Sequence, residues 1–217
     1  MNPTVDPITI IFDFDGTIAD TVETVLQLYN RIAPEYGCRR VEHAAREMLS
    51  NARPRELMRE YGMTFYKLPS VVLRMRREVN ACIAHVKPFG GIAAALRELK
   101  SAGYALGIIS SNAPENIRAF LAMNDLNGLF DFIQGSKHLF GKAAVIKRLM
   151  RKRELLPPQT IYIGDETRDI EAARKTGIRV VAVSWGYQAR EALVAAHPDR
   201  LVDDPGELVK NIGELPL

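Results

Sequence analysis

Two short stretches of this chain carry carboxylates at a spacing that could do chemistry: Asp13-Phe14-Asp15-Gly16-Thr17 and Gly164-Asp165-Glu166-Thr167-Arg168-Asp169. Residues two apart on an extended strand share a face, and the Asp15-Gly16 turn brings the second carboxylate round the end of the first. Carboxylates so close repel, and the pair favours a bound cation or a shared proton. The second stretch adds three acids at a strand end and the first turn of a helix, where Asp165 and Asp169 can approach each other. Acids are favoured at helix N-termini as caps. Capping accounts for one or two of them and leaves their pairing with the first stretch unexplained. Hard oxygen donors of this kind select Mg²⁺, which keeps several waters and takes few protein carboxylates.

Such acids must be delivered by the ends of separate elements. Ile8 to Phe14 is an almost continuous apolar run broken by Asp13 and closed by Asp15-Gly16, the pattern of a buried parallel strand. Three more runs repeat it: Tyr104 to Ile109 before Ser110-Ser111-Asn112, Thr160 to Ile163 before Gly164-Asp165, and Arg179 to Val183 before Ser184-Trp185-Gly186. Each ends in small or polar residues on the side where open parallel sheets bind ligands. Helical patterns alternate with the strands at Ile92 to Lys100, Pro114 to Met123, Lys142 to Arg153 and Glu166 to Lys175, the first and last stopped by Gly103 and Gly177. The economical solution is an α/β fold, a three-layer, doubly wound parallel sheet.

Residues 20–87 break this rhythm. Apolar residues recur there at helical spacing (Val22, Val25, Leu26, Tyr29; Leu57, Met58, Tyr61; Val71, Val72, Met75, Val79) with no clear strand. The stretch leaves through the Pro/Gly hinge Lys87-Pro88-Phe89-Gly90-Gly91. We expect an inserted α-helical cap domain over residues 20–87, lying across the C-terminal edge of a core built from residues 1–19 and 88–217.

Composition excludes several classes. With 217 residues, 47% of them hydrophobic and 25% charged, the chain can bury a core without disulfides or a structural metal. Lys and Arg exceed Asp and Glu by 29 to 26, too little for a nucleic-acid footprint. The densest basic stretch, Lys147 to Arg153, is interleaved with Leu149 and Met150 and reads as the wet face of an amphipathic helix. No segment approaches the roughly 18 apolar residues of a membrane span, and no signal peptide is evident. Cys38 and Cys82 stand in no metal-ligand or CxxC spacing, which fits a reducing, cytoplasmic setting. Gly135 and Gly141-Lys142 resemble a P-loop, but the spacing is one residue too long and Ala143 replaces its Ser or Thr. His43, His85, His138 and His197 are scattered without HExxH spacing.

Taken together, the Asp13-x-Asp15-Gly-Thr loop, Ser110 closing an apolar strand, Lys142 after Gly141 at a helix start, and Gly164-Asp165 with Asp169 resemble the haloacid dehalogenase-like superfamily. The likeness is to its phosphoglycolate-phosphatase-like members with a small helical cap, and it covers essentially the whole chain. It implies a phosphatase acting on small-molecule phosphate esters, with Asp13 as nucleophile and Asp15 as acid and base. It also implies Mg²⁺ held by Asp13, the Asp15 carbonyl and Asp165, and Ser110 and Lys142 on the transferring oxygens. Glu166 and Asp169 would stand behind these groups, with Gly16, Thr17, Ser111 and Asn112 bordering the substrate. In the insert, Asn51, Arg53 and Arg55 flank a helix start, and Arg53 could reach a carboxylate or second phosphate.

Two alternatives stay open at this point. A sugar phosphomutase of the β-phosphoglucomutase type keeps both acids and differs in whether its cap excludes water. A catalytically silent binding module would be expected to lose Asp13, Asp15, Lys142 or Asp165, and all four are present.

Overall fold

The computed structural model describes residues 7–42, 58–135 and 141–215. Asn51, Arg53 and Arg55 of the insert lie outside the described residues.

The four apolar runs form strands, and two further strands join them: β1 (Thr9–Phe12), β2 (Ala105–Ser110), β3 (Phe132–Gly135), β4 (Thr160–Gly164), β5 (Arg179–Val183) and β6 (Arg200–Val202). They make one sheet, order β3-β2-β1-β4-β5-β6, every pairing parallel. The unforeseen pair are its edges. Only Phe132 of β3 is buried, and β6 has three residues, so neither carries the apolar run that a strand buried on both faces requires.

The helices are α1 (Thr21–Ile32), α2 (Leu68–Cys82), α3 (Ile92–Ser101), α4 (Pro114–Met123), α5 (Lys142–Arg153), α6 (Thr167–Thr176), α7 (Arg190–Ala195) and α8 (Leu208–Gly213). The last two short ones span less than two turns each, too little for a helical period to show in the sequence.

Strand residues alternate between two cores, as the pleat demands. Ile10 and Phe12, Leu106 and Ile108, Ile161 and Ile163, and Val181 and Val183 pack with α3, α4 and α8. Ile11, Ile109, Tyr162, Val180 and Ala182 face the opposite way, against α5, α6 and α7. The three expected layers are therefore present.

Chain order reverses at β1, which has β2 on one side and β4 on the other. Crevices at the C-terminal ends of strands at such a switch are where α/β sheets take ligands. Here the switch places Asp13 beside Asp165, with the Asp13 amide donating to the Ile163 carbonyl at 2.8 Å.

Beyond β1 the chain turns sharply. The amides of Ile18 and Ala19 both donate to the Phe14 carbonyl at 2.9 Å, and Gly16 takes φ +81°. The two linkers of the insert then run side by side: Ala19 bridges Pro88, the Asp20 amide donates to Lys87, and the Phe89 amide donates to Ile18. Between these linkers the described residues include α1 and α2, which pack on each other, and no strand.

Candidate active site

Asp13 leaves β1 in phase with Ile11, on the sheet face covered by α5 and α6. The first residue of α5 is Lys142, and the first turn of α6 carries Asp169. These three side chains meet. Lys142 Nζ lies 2.7 Å from Asp13 Oδ2 and also pairs with Asp169 Oδ1. The Tyr162 ring lies beneath, its centroid 5.4 Å from the ammonium. Burial alone would lower the Lys142 pKa, but Asp13, Tyr162 and Asp169 around it hold it well above the usual value.

Asp165 completes the acid cluster. Ligand oxygens of Asp13, Asp165 and Asp169 all lie within 4.8 Å of one another, and all three residues are buried. Asp165 accepts from the Thr17 hydroxyl on Oδ1 and from the Tyr187 amide on Oδ2, both at 2.8 Å. Burial, then the charges of Asp13, Asp169 and Glu166, push the Asp165 carboxyl well above the ordinary range. Burial raises Asp169 to about 7, with Lys142 opposing and Asp13 reinforcing. Three desolvated acids with one ammonium among them are short of positive charge. The donor set of carboxylates alone fits a hard divalent cation such as Mg²⁺.

Asp15 stands at the mouth of the same cleft, half-buried, its Oδ2 3.5 Å from Ser110 Oγ. Burial and then Asp13 raise its carboxyl to about 7, while Thr21, Ser110 and Lys142 pull it down. A carboxyl poised there can both give and take a proton at neutral pH. The cleft encloses about 470 Å³, open solvent included, and its lining includes Asp13, Asp15, Ser110, Ser111, Lys142 and Glu166.

Three residues expected at the substrate make contacts within the protein. Gly16 packs under Asp165: a Cβ there would run into Asp165 Oδ2 and the Tyr187 ring. Thr17 is fully buried, its hydroxyl spent on Asp165. Asn112 Oδ1 accepts from the Ala113 amide and the Asn116 side chain, fastening the start of α4. All three are buried and stand outside the cleft's described lining. Helix capping and clustering, set against each other as explanations of the second acidic stretch, both occur. Glu166 and Asp169 form a reciprocal capping box on α6 while Asp169 also meets Lys142.

Three residues were missed. Tyr187 and Arg168 line the cleft, and Trp185 Nε1 donates to the Thr17 carbonyl at 3.1 Å. A signal for the first and last existed: Ser184-Trp185-Gly186 closes a strand on the ligand side, so the following residues belong to the same rim. Arg168 sits inside the acidic stretch, where its charge reads as a capping counter-ion.

Residues 10–183 match the model of the family described as haloacid dehalogenase-like hydrolase. A phosphoglycolate phosphatase from Synechococcus elongatus is 36% identical over 206 residues, covering 95% of this chain and 97% of that one. The pyrophosphatase PpaX of Bacillus mycoides is 24% identical, covering 93% and 94%. Among solved structures, a haloacid dehalogenase-like family hydrolase from Streptococcus pneumoniae superposes with a TM-score of 0.78 at 25% identity, covering 95% and 98%.

Proposed function

The chain belongs to the haloacid dehalogenase-like hydrolase family and is a phosphatase of that family; we propose that it hydrolyses a small-molecule phosphate monoester, phosphoglycolate among them, through a phosphoryl-aspartate on Asp13. One observation carries the mechanism: ligand oxygens of Asp13, Asp165 and Asp169 fall within 4.8 Å of one another, with Lys142 Nζ 2.7 Å from Asp13.

Asp13 and Asp165, with the Asp15 carbonyl, would hold Mg²⁺, and Asp169 supports the cluster from behind. Bound there, the ion supplies charge neutralisation as an anionic nucleophile approaches an anionic phosphate. Lys142 and Ser110 bind the phosphoryl oxygens at the end of β2. An Asp13 oxygen attacks phosphorus in line, and the bond to the ester oxygen breaks as Asp15 gives that oxygen its proton. Asp15, now a carboxylate, takes a proton from a water that attacks the same phosphorus. Phosphate leaves and the Asp13 carboxylate is restored.

In this reading the insert between residues 20 and 87 is a cap, and the paired linkers Ile18 to Asp20 and Lys87 to Phe89 are where it moves to exclude bulk water. Among the described residues no helix is long and apolar enough to cross a membrane. Cys38 and Cys82 are both free, which suits a reducing cytoplasm. A panel of phosphate monoesters assayed with Mg²⁺ and with chelator tests the reading. Phosphate release that needs the ion and is lost in Asp13→Asn is expected, and release undiminished by chelator and substitution overturns it.

A further inference from the structure

Among the described residues, the cleft has two cations in its lining, Lys142 and Arg168. Their circumstances differ. Lys142 is 16% exposed and committed to Asp13 and Asp169 at the nucleophile. Arg168, on the first turn of α6, has a side chain 47% exposed and meets Glu166 through Nε. A guanidinium has five N–H donors in a rigid fork, more than one carboxylate can take. With that exposure, Arg168 retains donors for a partner from solution.

Charge supports the same assignment. Asp13, Asp15 and Glu166 line this cleft as well. A substrate with a negative group beyond its phosphoryl would be repelled by Glu166 unless a cation stood beside it. Arg168 stands there, on the core side of the opening, with Ser111, Ile109 and Val145 also in the lining.

We propose that Arg168 is a specificity-determining residue that binds a second anionic group, carboxylate or phosphate, on a short-chain phosphate ester. This rests on the phosphatase reading for the placement of the phosphoryl group at Asp13 and Lys142. A forked, charge-assisted contact with a planar or tetrahedral oxyanion is the recognition that Arg provides and Lys does not.

The test measures binding rather than turnover, so that it stands apart from the hydrolysis reading. Mg²⁺-loaded Asp15→Asn protein, which keeps Asp13, Asp165 and the residue-15 carbonyl for the ion and lacks the acid for the leaving oxygen, with Arg168 intact or changed to Met or Lys, is titrated calorimetrically with three ligands. These are 2-hydroxyethyl phosphate, phosphoglycolate and ethylene glycol bisphosphate, which share a two-carbon chain and differ at its far end. With Arg168 in place, one or both doubly anionic esters are expected to bind about tenfold or more tighter than the neutral-ended ester. Whichever shows the preference identifies the source of the second anion. Arg168→Met brings the ratio close to one, and Arg168→Lys, which keeps the charge beside Glu166, gives an intermediate ratio. No preference in the parent, including no binding at all, or a ratio undiminished in both variants, overturns the proposal and leaves Arg168 as a counter-ion to Glu166. Loss of turnover in the native enzyme with this preference intact would instead count against the hydrolysis reading alone.

Discussion

Lys142 Nζ lies 2.7 Å from Asp13 Oδ2 although 129 residues of chain separate them, and the same ammonium pairs with Asp169. Removing it leaves two buried acids without their counter-charge and, in the proposed mechanism, takes a donor from the transferring oxygens. Lys142→Met is therefore expected to lower kcat by about 10²–10³, with folding retained once Mg²⁺ is present. Steady-state kinetics checks this, and a kcat within threefold of the native enzyme contradicts it.

The acid cluster sets a pH dependence in the metal-free protein. Asp15 and Asp169 sit near 7 and Asp165 well above the ordinary range, whereas in the unfolded chain such groups titrate near about 4. Between those values the folded state holds protons the unfolded chain has lost. Stability from these groups is thus complete below about 4 and is lost as pH rises through 7. Chelator-treated protein should melt lower at pH 8 than at pH 5, Mg²⁺ should recover the difference, and Asp165→Asn should flatten the slope. Melting curves across this range check it; a slope unchanged by Asp165→Asn contradicts it.

Gly16 makes a backbone prediction. At φ +81°, with Asp165 and Tyr187 against the place of a Cβ, alanine meets both left-handed strain and a collision. Gly16→Ala is expected to cost about 1 kcal/mol or more in stability from the backbone alone and to weaken Mg²⁺ binding by displacing Asp165. An Ala variant as stable and as tightly metal-bound as the native protein would contradict the tight fit.

Thr17 orients Asp165, a ligand of the proposed Mg²⁺ site, through its hydroxyl. Thr17→Val keeps the shape and removes the donor, so Mg²⁺ affinity should fall about tenfold or more, the usual effect of losing such support, while KM for the ester at saturating Mg²⁺ changes little. Calorimetric titration of Mg²⁺ checks it; an unchanged affinity would show that the Tyr187 amide suffices.

Legibility of the sequence followed burial. The central strands announce themselves because both faces are covered, so Ile10, Ile11 and Phe12 are all apolar. The edge strands β3 and β6 do not, since half-exposed positions such as Ile133 to Gly135 carry no such constraint. The acids at strand ends were legible for the same reason: a charge that interrupts or closes a buried run has a cost that structure must meet. Whether a residue faces the cleft or supports it from behind was not legible. Thr17 and Ser110 both follow apolar strands, and only the turn at Gly16 sends the Thr17 hydroxyl to Asp165 instead of the opening. Tyr187 and Trp185 lie past a strand end with no acid to mark them, and their roles come from the Gly186 turn that rests against Asp165.

Nucleophilic attack by Asp13 is the claim on which the rest depends, and acid quench during turnover of a phosphate-labelled ester tests it most directly. The label is expected as an acid-stable, hydroxylamine-sensitive acyl phosphate on the peptide containing Asp13, absent in Asp13→Asn. Label on any other residue, or steady turnover by Asp13→Asn at the native rate, would contradict it.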